Sequence, residues 1–178
     1  VGIASKRKLL TQSNVKNHDV ILGIPSNGLH SNGFSLLRNI LKKRKINKKL
    51  EKQILKPTKI YVKEILNLVN RRLISSAAHI TGGGLIENIS RSVPNGLSIN
   101  IDLKKIKTLE IFKWLKKNNV SDSEMLRTFN CGIGFCLIVK KKNVNKIKKF
   151  FTKEFKPYEI GYISNSKSKV NLFNKIQW

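Results

Sequence analysis

Acidic residues are scarce in this sequence. Its 178 residues include 10 aspartates and glutamates against 36 lysines and arginines, which gives a formal net charge of +26. A charge of this size first suggests a nucleic-acid-binding protein. However, 29 of the 36 basic residues are lysines, and 22 isoleucines and 19 asparagines accompany them. An AT-rich genome encodes this combination without any selection for binding.

Arginine and aromatic residues are scarce as well, at 7 arginines and 7% aromatics. Proteins that read bases rely on these planar side chains for stacking and for bidentate hydrogen bonds. We therefore expect no specific nucleic-acid partner. The alternative, a basic nucleic-acid-binding module, rests on the lysine runs at 42–49 and 140–149. In either case the charge attracts anionic ligands, and salt weakens that attraction.

Cysteine is limited to Cys131 and Cys136, and the three histidines are scattered. Two cysteines do not build a disulfide framework, and no pair among these residues has the spacing of zinc ligands. We therefore predict free thiols, no metal site and a reducing, cytoplasmic location.

Long apolar runs are also missing. No segment approaches the roughly 20 apolar residues that span a bilayer, and no signal-peptide pattern is present, so we expect no membrane partner. With 40% hydrophobic residues, the chain can form one substantial core. It begins at Val1, inside what reads as a strand over 1–10, so we expect a fragment of a longer protein.

The apolar pattern mixes strands and helices along the chain. Strands are predicted at 19–25, 75–80, 97–101, 158–164 and 170–173, with a further glycine-interrupted strand that ends at Val139. Helices are predicted at 34–43, 50–55, 58–71, 85–93, 108–118, 121–127 and 143–153. This order indicates a single α/β domain over 1–178, layered in the α+β manner. We expect a mixed β-sheet packed with helices. The last strands of the chain are expected to be adjacent and hairpin-like, and the final one is expected to lie at the edge of the sheet.

Three of the predicted helices carry capping signals. Ser31 or Asn32 is expected to cap the helix that follows them, and Thr108 the helix at 108–118. Ser121 is followed three residues later by Glu124, which is the pattern of a capping box.

The first informative motif is 79–89, His-Ile-Thr-Gly-Gly-Gly-Leu-Ile-Glu-Asn-Ile. Glycines 82–84 join a short buried strand to a helix start. Glycine lets a ligand approach the backbone, and free N–H groups at a helix start favour an anion. The alternative is a tight turn without a ligand. The spacing matches neither the dinucleotide fingerprint nor the Walker pattern.

The second motif is 26–37, which again places a polar, glycine-containing loop between a buried strand and a helix. His30 lies in this loop among hydroxyl and amide side chains. The alternative is a capping turn whose histidine is merely exposed. Two loops of this kind favour a shared binding face.

The third motif is 127–135, where Arg127, Thr128 and Asn130 precede a strand interrupted by glycines. Glycine inside a strand marks the close approach of another backbone or of a ligand. The alternative is simple packing against the preceding helix.

Taken in order and at this spacing, the three motifs closely resemble the C-terminal domain of the aminoimidazole ribonucleotide synthetase family, also called phosphoribosylformylglycinamidine cyclo-ligases. Segments 57–63 and 159–163 extend the resemblance over nearly the whole chain. The resemblance implies a homodimeric, two-domain enzyme of purine biosynthesis. That enzyme uses ATP and Mg²⁺, held mostly by an N-terminal domain, to close the imidazole ring of formylglycinamidine ribonucleotide.

The resemblance further implies that this chain alone lacks the N-terminal ATP-binding domain and is inactive. His30 and His79 are the candidate catalytic residues, although His79 could equally be a satisfied core histidine. The candidates for binding the phosphorylated substrate are Ser26, Ser31, Asn32, Gly33, Thr81, Gly82, Gly83, Gly84, Glu87, Asn88, Arg127, Thr128 and Asn130. A formylglycinamidine ribonucleotide synthetase-like protein of the same superfamily is the alternative.

Overall fold

The computed structural model of the protein describes residues 3, 5–6, 9–166 and 168–178. The predicted strand over 1–10 rests on Val1, Gly2, Ala4, Arg7 and Lys8, which lie outside the described residues. The strands are β1 (Val20–Pro25), β2 (Ser76–His79), β3 (Ser98–Asp102), β4 (Ile133–Val139), β5 (Tyr158–Ser164) and β6 (Val170–Phe173). The α-helices are α1 (Phe34–Leu41), α2 (Lys48–Ile54), α3 (Val62–Asn70), α4 (Gly84–Ser90), α5 (Glu110–Lys117), α6 (Asp122–Thr128) and α7 (Val144–Lys148).

The six described strands form one mixed sheet in the order β2-β4-β1-β5-β3-β6. All pairs are antiparallel except β3 with β6, which is parallel. Both β1 and β2 run antiparallel to β4, which lies between them, so β1 and β2 point the same way. Their carboxyl ends therefore lie at the same edge of the sheet, beside the start of β4.

Helices cover both faces of this sheet, because the strands alternate their apolar side chains between two cores. On β1, Val20, Leu22 and Ile24 belong to one buried cluster and Ile21 to the other. The first cluster includes residues of α3 and α7, and the second includes residues of α1, α2, α4, α5 and α6. The predicted layered α/β domain with a mixed sheet is confirmed. None of the described helices is long and apolar enough to cross a membrane.

Two of the predicted caps are wrong. Helix α1 begins after Gly33, which has a left-handed backbone (φ 79°), and neither Ser31 nor Asn32 caps it. Helix α5 begins after Leu109 without a side-chain cap, because the Thr108 hydroxyl donates to Gln177 O. The Ser121 cap is confirmed, since its Oγ accepts from Glu124 N–H.

Other boundaries also differ from the sequence pattern. Helix α7 covers only part of 143–153, because a 3₁₀ turn at Lys141–Asn143 precedes it and the chain leaves the helix after Lys148. The last strands are not a hairpin, because β3 lies between β5 and β6. The edge position predicted for β6 is confirmed.

Candidate functional site

The three sequence motifs meet at the edge of the sheet where β1 and β2 end and β4 begins. Residues 26–33 follow β1, residues 80–84 follow β2, and residues 127–132 lead into β4. The backbone links them directly, since Ser26 N–H donates to Gly132 O at 2.9 Å and Ile80 N–H donates to Gly134 O at 3.0 Å. Loops at the carboxyl ends of strands are where α/β proteins commonly bind ligands.

Asn130 holds the second and third motifs together. Its Nδ2 donates to Gly28 O and Leu29 O at 3.0 Å each, and its Oδ1 accepts from the Ser26 hydroxyl at 2.8 Å and from Gly132 N–H at 2.9 Å. Asn130 and Ser26 are both buried, with 1% and 3% of their surfaces exposed. These two predicted ligand residues therefore hold the loop that carries His30 in place.

Two glycines allow the motifs to pack this closely. A Cβ at Gly33 would collide with the ring of Phe129, and one at Gly84 would collide with the backbone carbonyl of Leu126. Both glycines also have positive φ. At Gly33 and Gly84, the group that comes close to the glycine is therefore a part of the protein itself and not a ligand.

Asn88 shapes the glycine turn at 82–84. Its Nδ2 donates to Gly84 O at 2.7 Å and to Gly82 O at 3.1 Å, and the Thr81 hydroxyl donates to its Oδ1 at 3.2 Å. Within the turn, Gly84 N–H donates to Thr81 O at 3.1 Å. For the part of the chain that is described, the N–H groups of Gly82 and Gly83 have no protein acceptor. They are the donors available to a ligand.

Asn32, from the second motif, lies opposite this turn. Its Oδ1 would be 3.9 Å from a Cβ at Gly82, and apart from the chain neighbours no other described atom comes within 4 Å of that position. A side chain at position 82 would therefore meet Asn32 at ordinary van der Waals distance without a collision. Nearby, Ser31 is exposed, and its Oγ is 3.3 Å from the hydroxyl of Thr58.

The ring of Tyr61 contacts both candidate catalytic histidines. Its ring centroid is 6.2 Å from that of His30, 5.9 Å from that of His79 and 5.3 Å from that of Phe135. The ring of His79 stacks on Phe135, its cross-strand partner, at 5.6 Å. The structure therefore brings His30 and His79 to one aromatic cluster at the end of the sheet.

The two histidines differ in exposure. His30 is buried, with 5% of its surface exposed, so the interpretation of an exposed loop histidine is wrong. Burial and, to a smaller extent, the neighbouring His79 together lower its pKa to about 4. His79 is exposed, which excludes the alternative of a core histidine, although partial desolvation lowers its pKa as well. Both rings are therefore neutral near pH 7 and can accept a proton.

Charged groups around the glycine turn are paired. Arg127 is exposed and contacts Glu124 Oε2 at 2.7 Å, while the Thr128 hydroxyl donates to the other oxygen of the same carboxylate. Glu87 pairs with Arg91 on α4. Arg127 must exchange its partner, or share it, to contact an anionic ligand.

The sequence analysis missed three residues of this site. Tyr61 belongs to the buried core, and its ring also contacts both histidines. Gly134 lies behind them, and a Cβ there would collide with Tyr61 Oη and His30 Cε1. Asn27 contacts His30 Nε2 through its Oδ1 at 2.9 Å. The signal for Asn27 was its place in the second motif, three residues before His30.

The donor set does not suit a metal ion. Among the described residues, no group of three or more histidine, cysteine, aspartate or glutamate side chains could hold one. Mg²⁺ prefers several oxygen ligands in octahedral geometry. The described residues therefore do not form a Mg²⁺ site by themselves, whereas the free N–H groups of Gly82 and Gly83 suit a phosphoryl group. Both cysteines are buried free thiols, as predicted.

The fold and the site together define a three-layer α/β domain with a glycine turn and a histidine pair at one sheet edge. The family model described as "AIR synthase related protein, C-terminal domain" matches residues 16–172. The chain therefore belongs to this family, as the motifs predicted.

Curated relatives give the same assignment. The chain is 42% identical to the phosphoribosylformylglycinamidine cyclo-ligase of Enterococcus faecalis over 98% of its own length and 54% of that protein. It is 41% identical to the enzyme of the same name from Ligilactobacillus salivarius, over 93% of this chain and 52% of that protein. The chain thus spans about half the length of the curated relatives it matches.

Solved structures share the fold at low sequence identity. Thiamine monophosphate kinase from Aquifex aeolicus superposes with a TM-score of 0.59 at 14% identity, over 94% of this chain and 54% of that chain. PurL from Thermotoga maritima, in a complex with ATP, gives a TM-score of 0.63 at 13% identity, over 97% of this chain and 26% of that chain. These similarities confirm the fold and carry no further argument about the reaction.

Proposed function

We propose that this chain is the C-terminal half of a phosphoribosylformylglycinamidine cyclo-ligase and supplies part of its substrate site. The observation that carries the proposal is the convergence of the three motifs on one sheet edge, in a chain 42% identical to an enzyme of that name. The other half of the enzyme supplies most of the contacts to ATP and Mg²⁺. The assembled enzyme is a cytoplasmic homodimer, and the chain alone is inactive.

The glycine turn binds a phosphate of the phosphorylated ribonucleotide in this proposal. The N–H groups of Gly82 and Gly83 donate to the phosphate oxygens, and Asn88 holds the turn in the conformation that presents them. Asn32 lies beside Gly82, and in this proposal its side-chain amide donates to the same ligand. Because these donors are fixed before the ligand arrives, they need little reorganisation during the reaction.

We assign proton transfer in the proposed reaction to His30 and His79. ATP would phosphorylate the amide oxygen of formylglycinamidine ribonucleotide and leave as ADP. Attack by the ring-closing nitrogen would then expel phosphate, and the proton lost from that nitrogen needs an acceptor. His79 is exposed at the end of β2 and neutral near pH 7, so it can take up such a proton. His30 is buried, and in this proposal it contacts the ligand from the protein side.

A fusion protein tests this proposal. The N-terminal half of the Enterococcus faecalis enzyme, joined to this chain in place of its own C-terminal half, should turn over formylglycinamidine ribonucleotide with ATP. This chain alone should not. The proposal is overturned by turnover without the N-terminal half. It is also overturned if the folded fusion is inactive on this substrate but phosphorylates thiamine monophosphate, since that would place the site with a different relative.

A further inference from the structure

The side-chain amide of Asn27 contacts two partners of different kinds. Its Nδ2 is 2.9 Å from Pro57 O, and its Oδ1 is 2.9 Å from His30 Nε2. A backbone carbonyl accepts hydrogen bonds and cannot donate them, so the amide nitrogen must face Pro57. The amide oxygen must then face His30. The contact with Pro57 thus fixes the orientation of the whole amide.

This orientation determines which ring nitrogen of His30 carries the hydrogen. An amide oxygen is only an acceptor, so Nε2 must be protonated and donate to it. The neutral imidazole has a single N–H, which leaves a lone pair on Nδ1. Nδ1 is buried, and no donor among the described residues reaches it. A buried acceptor without a donor costs free energy, so a donor group that reached Nδ1 would be bound favourably.

The packing around His30 holds the ring in this position. His30 is only 5% exposed, and its Cε1 lies where the Cβ of any residue other than glycine at position 134 would be. Tyr61 Oη occupies the same space and donates to Pro25 O at 3.0 Å. The ring is therefore held between β4 and Tyr61 on one side and Asn27 on the other.

We propose that Asn27 is a positioning residue that fixes His30 as the Nε2–H tautomer, so that Nδ1 is the hydrogen-bond acceptor of this site. The group that completes the site at His30 is then an N–H or O–H donor of the ligand, and an ionised phosphate belongs at the glycine turn instead. The inference rests on the proposed function only for the identity of that ligand. The tautomer itself is a property of this chain.

Nitrogen-15 NMR of the labelled chain at neutral pH tests the tautomer without any substrate. Two-bond correlations from the ring carbon-bound protons distinguish a protonated from a non-protonated ring nitrogen, and His30→Gln identifies the His30 signals. We expect a pure Nε2–H pattern with Nδ1 at the shift of a non-protonated nitrogen. Asn27→Leu removes the acceptor at similar volume and should give an average of the two tautomers.

Asn32→Leu is the matched control, because it removes an amide from the same loop. Among the described residues this amide makes no hydrogen bond to His30, so the substitution should leave the pattern unchanged. An Nδ1–H or averaged pattern in the wild-type chain would overturn the inference. A pure Nε2–H pattern in Asn27→Leu would overturn it too, because packing alone would then set the tautomer. These spectra involve no turnover, so their outcome is independent of whether the fusion enzyme is active.

Discussion

Ser26 donates its hydroxyl hydrogen to Asn130 Oδ1 at 2.8 Å, across a sequence separation of 104 residues. The contact links the end of β1 to the entry of β4. Asn130 extends the link through its two bonds to the carbonyls of Gly28 and Leu29. The loop that carries His30 is therefore positioned by a residue of the third motif, and the two motifs form one structural unit.

Replacement of Asn130 by alanine should destabilise the fold. The change leaves the buried carbonyls of Gly28 and Leu29 and the Ser26 hydroxyl without partners, at a cost of about 2–4 kcal/mol. Urea unfolding measures this loss. Asn67→Ala is the control, because Asn67 is exposed and, among the described residues, its side chain bonds to Arg71 alone. This change should alter stability by less than about 0.5 kcal/mol. Equal effects of the two substitutions would contradict the linking role.

Arg127→Gln should weaken the binding of ribose 5-phosphate more than an equal loss of charge elsewhere. Arg127 is exposed and follows the segment that packs on Gly84, so its guanidinium can approach an anion at the turn. Lys146→Gln is the matched control, because it removes one positive charge from the exposed face of α7. Calorimetric titration compares the two. If both variants weaken binding equally, the attraction is general to this basic chain.

His30 should make the stability of the fold depend on pH. Its folded pKa of about 4 lies below its ordinary value of 6.5, so between these values the unfolded chain takes up a proton that the folded chain does not. The stabilisation is present above pH 6.5 and is lost as the pH falls toward 4. Between pH 7 and pH 5, wild type should lose about 2 kcal/mol more than His30→Gln. Parallel pH curves from urea unfolding would contradict this account.

Three exposed apolar side chains beside Tyr61 should make the isolated chain prone to association. Ile60, Val62 and Leu66 are 78%, 59% and 55% exposed, and we propose that the other half of the enzyme covers them. Leu66→Lys should reduce both self-association in light scattering and the binding of a hydrophobic dye. Asn67→Lys adds the same charge at the neighbouring position and should not. A wild-type chain that is monodisperse and binds no dye would contradict the prediction.

Much of the fold was predictable, because its strands are apolar runs between polar loops and its longer helices are amphipathic. The caps at Ser31, Asn32 and Thr108 were wrong for a local reason. Gly33 reaches a backbone conformation that starts the helix by itself, and Thr108 bonds to Gln177 near the end of the chain. The parallel pairing of β3 with β6 was also missed, since local pattern does not reveal which strand lies between two others.

The sequence predicted which three loops form the site, but it did not predict the contacts between their side chains. Glycine and histidine positions identified the three loops. Asn130 holds the loop that carries His30 through a hydrogen bond across 102 residues, whereas Asn88 shapes the glycine turn through bonds within its own motif. Contacts between residues far apart in the sequence also join Asn27 to Pro57 and His30 to Tyr61. The spacing of residues along the sequence does not predict such contacts.

The phosphate site at the glycine turn is the central claim, and Gly82 offers the cleanest variant to test it. Gly83 and Gly84 have positive φ, and a Cβ at either collides with Glu87 or with the backbone of Leu126, so changes there disturb the turn itself. Gly82 needs no positive φ, and apart from its chain neighbours the described residues bring only Asn32 Oδ1, at 3.9 Å, within 4 Å of its Cβ position. Gly82→Val should therefore fold normally and fill the space in front of the turn.

The decisive measurement is an NMR titration of wild type and Gly82→Val with ribose 5-phosphate at physiological salt, followed through backbone amide shifts. The account predicts saturable shifts at the amides of Gly82 and Gly83 in the wild-type chain, a partial loss of them in Gly82→Ala, and no saturable response in Gly82→Val. Identical weak shifts in all three proteins, spread over the lysine-rich surface and abolished by salt, would contradict a phosphate site at the glycine turn.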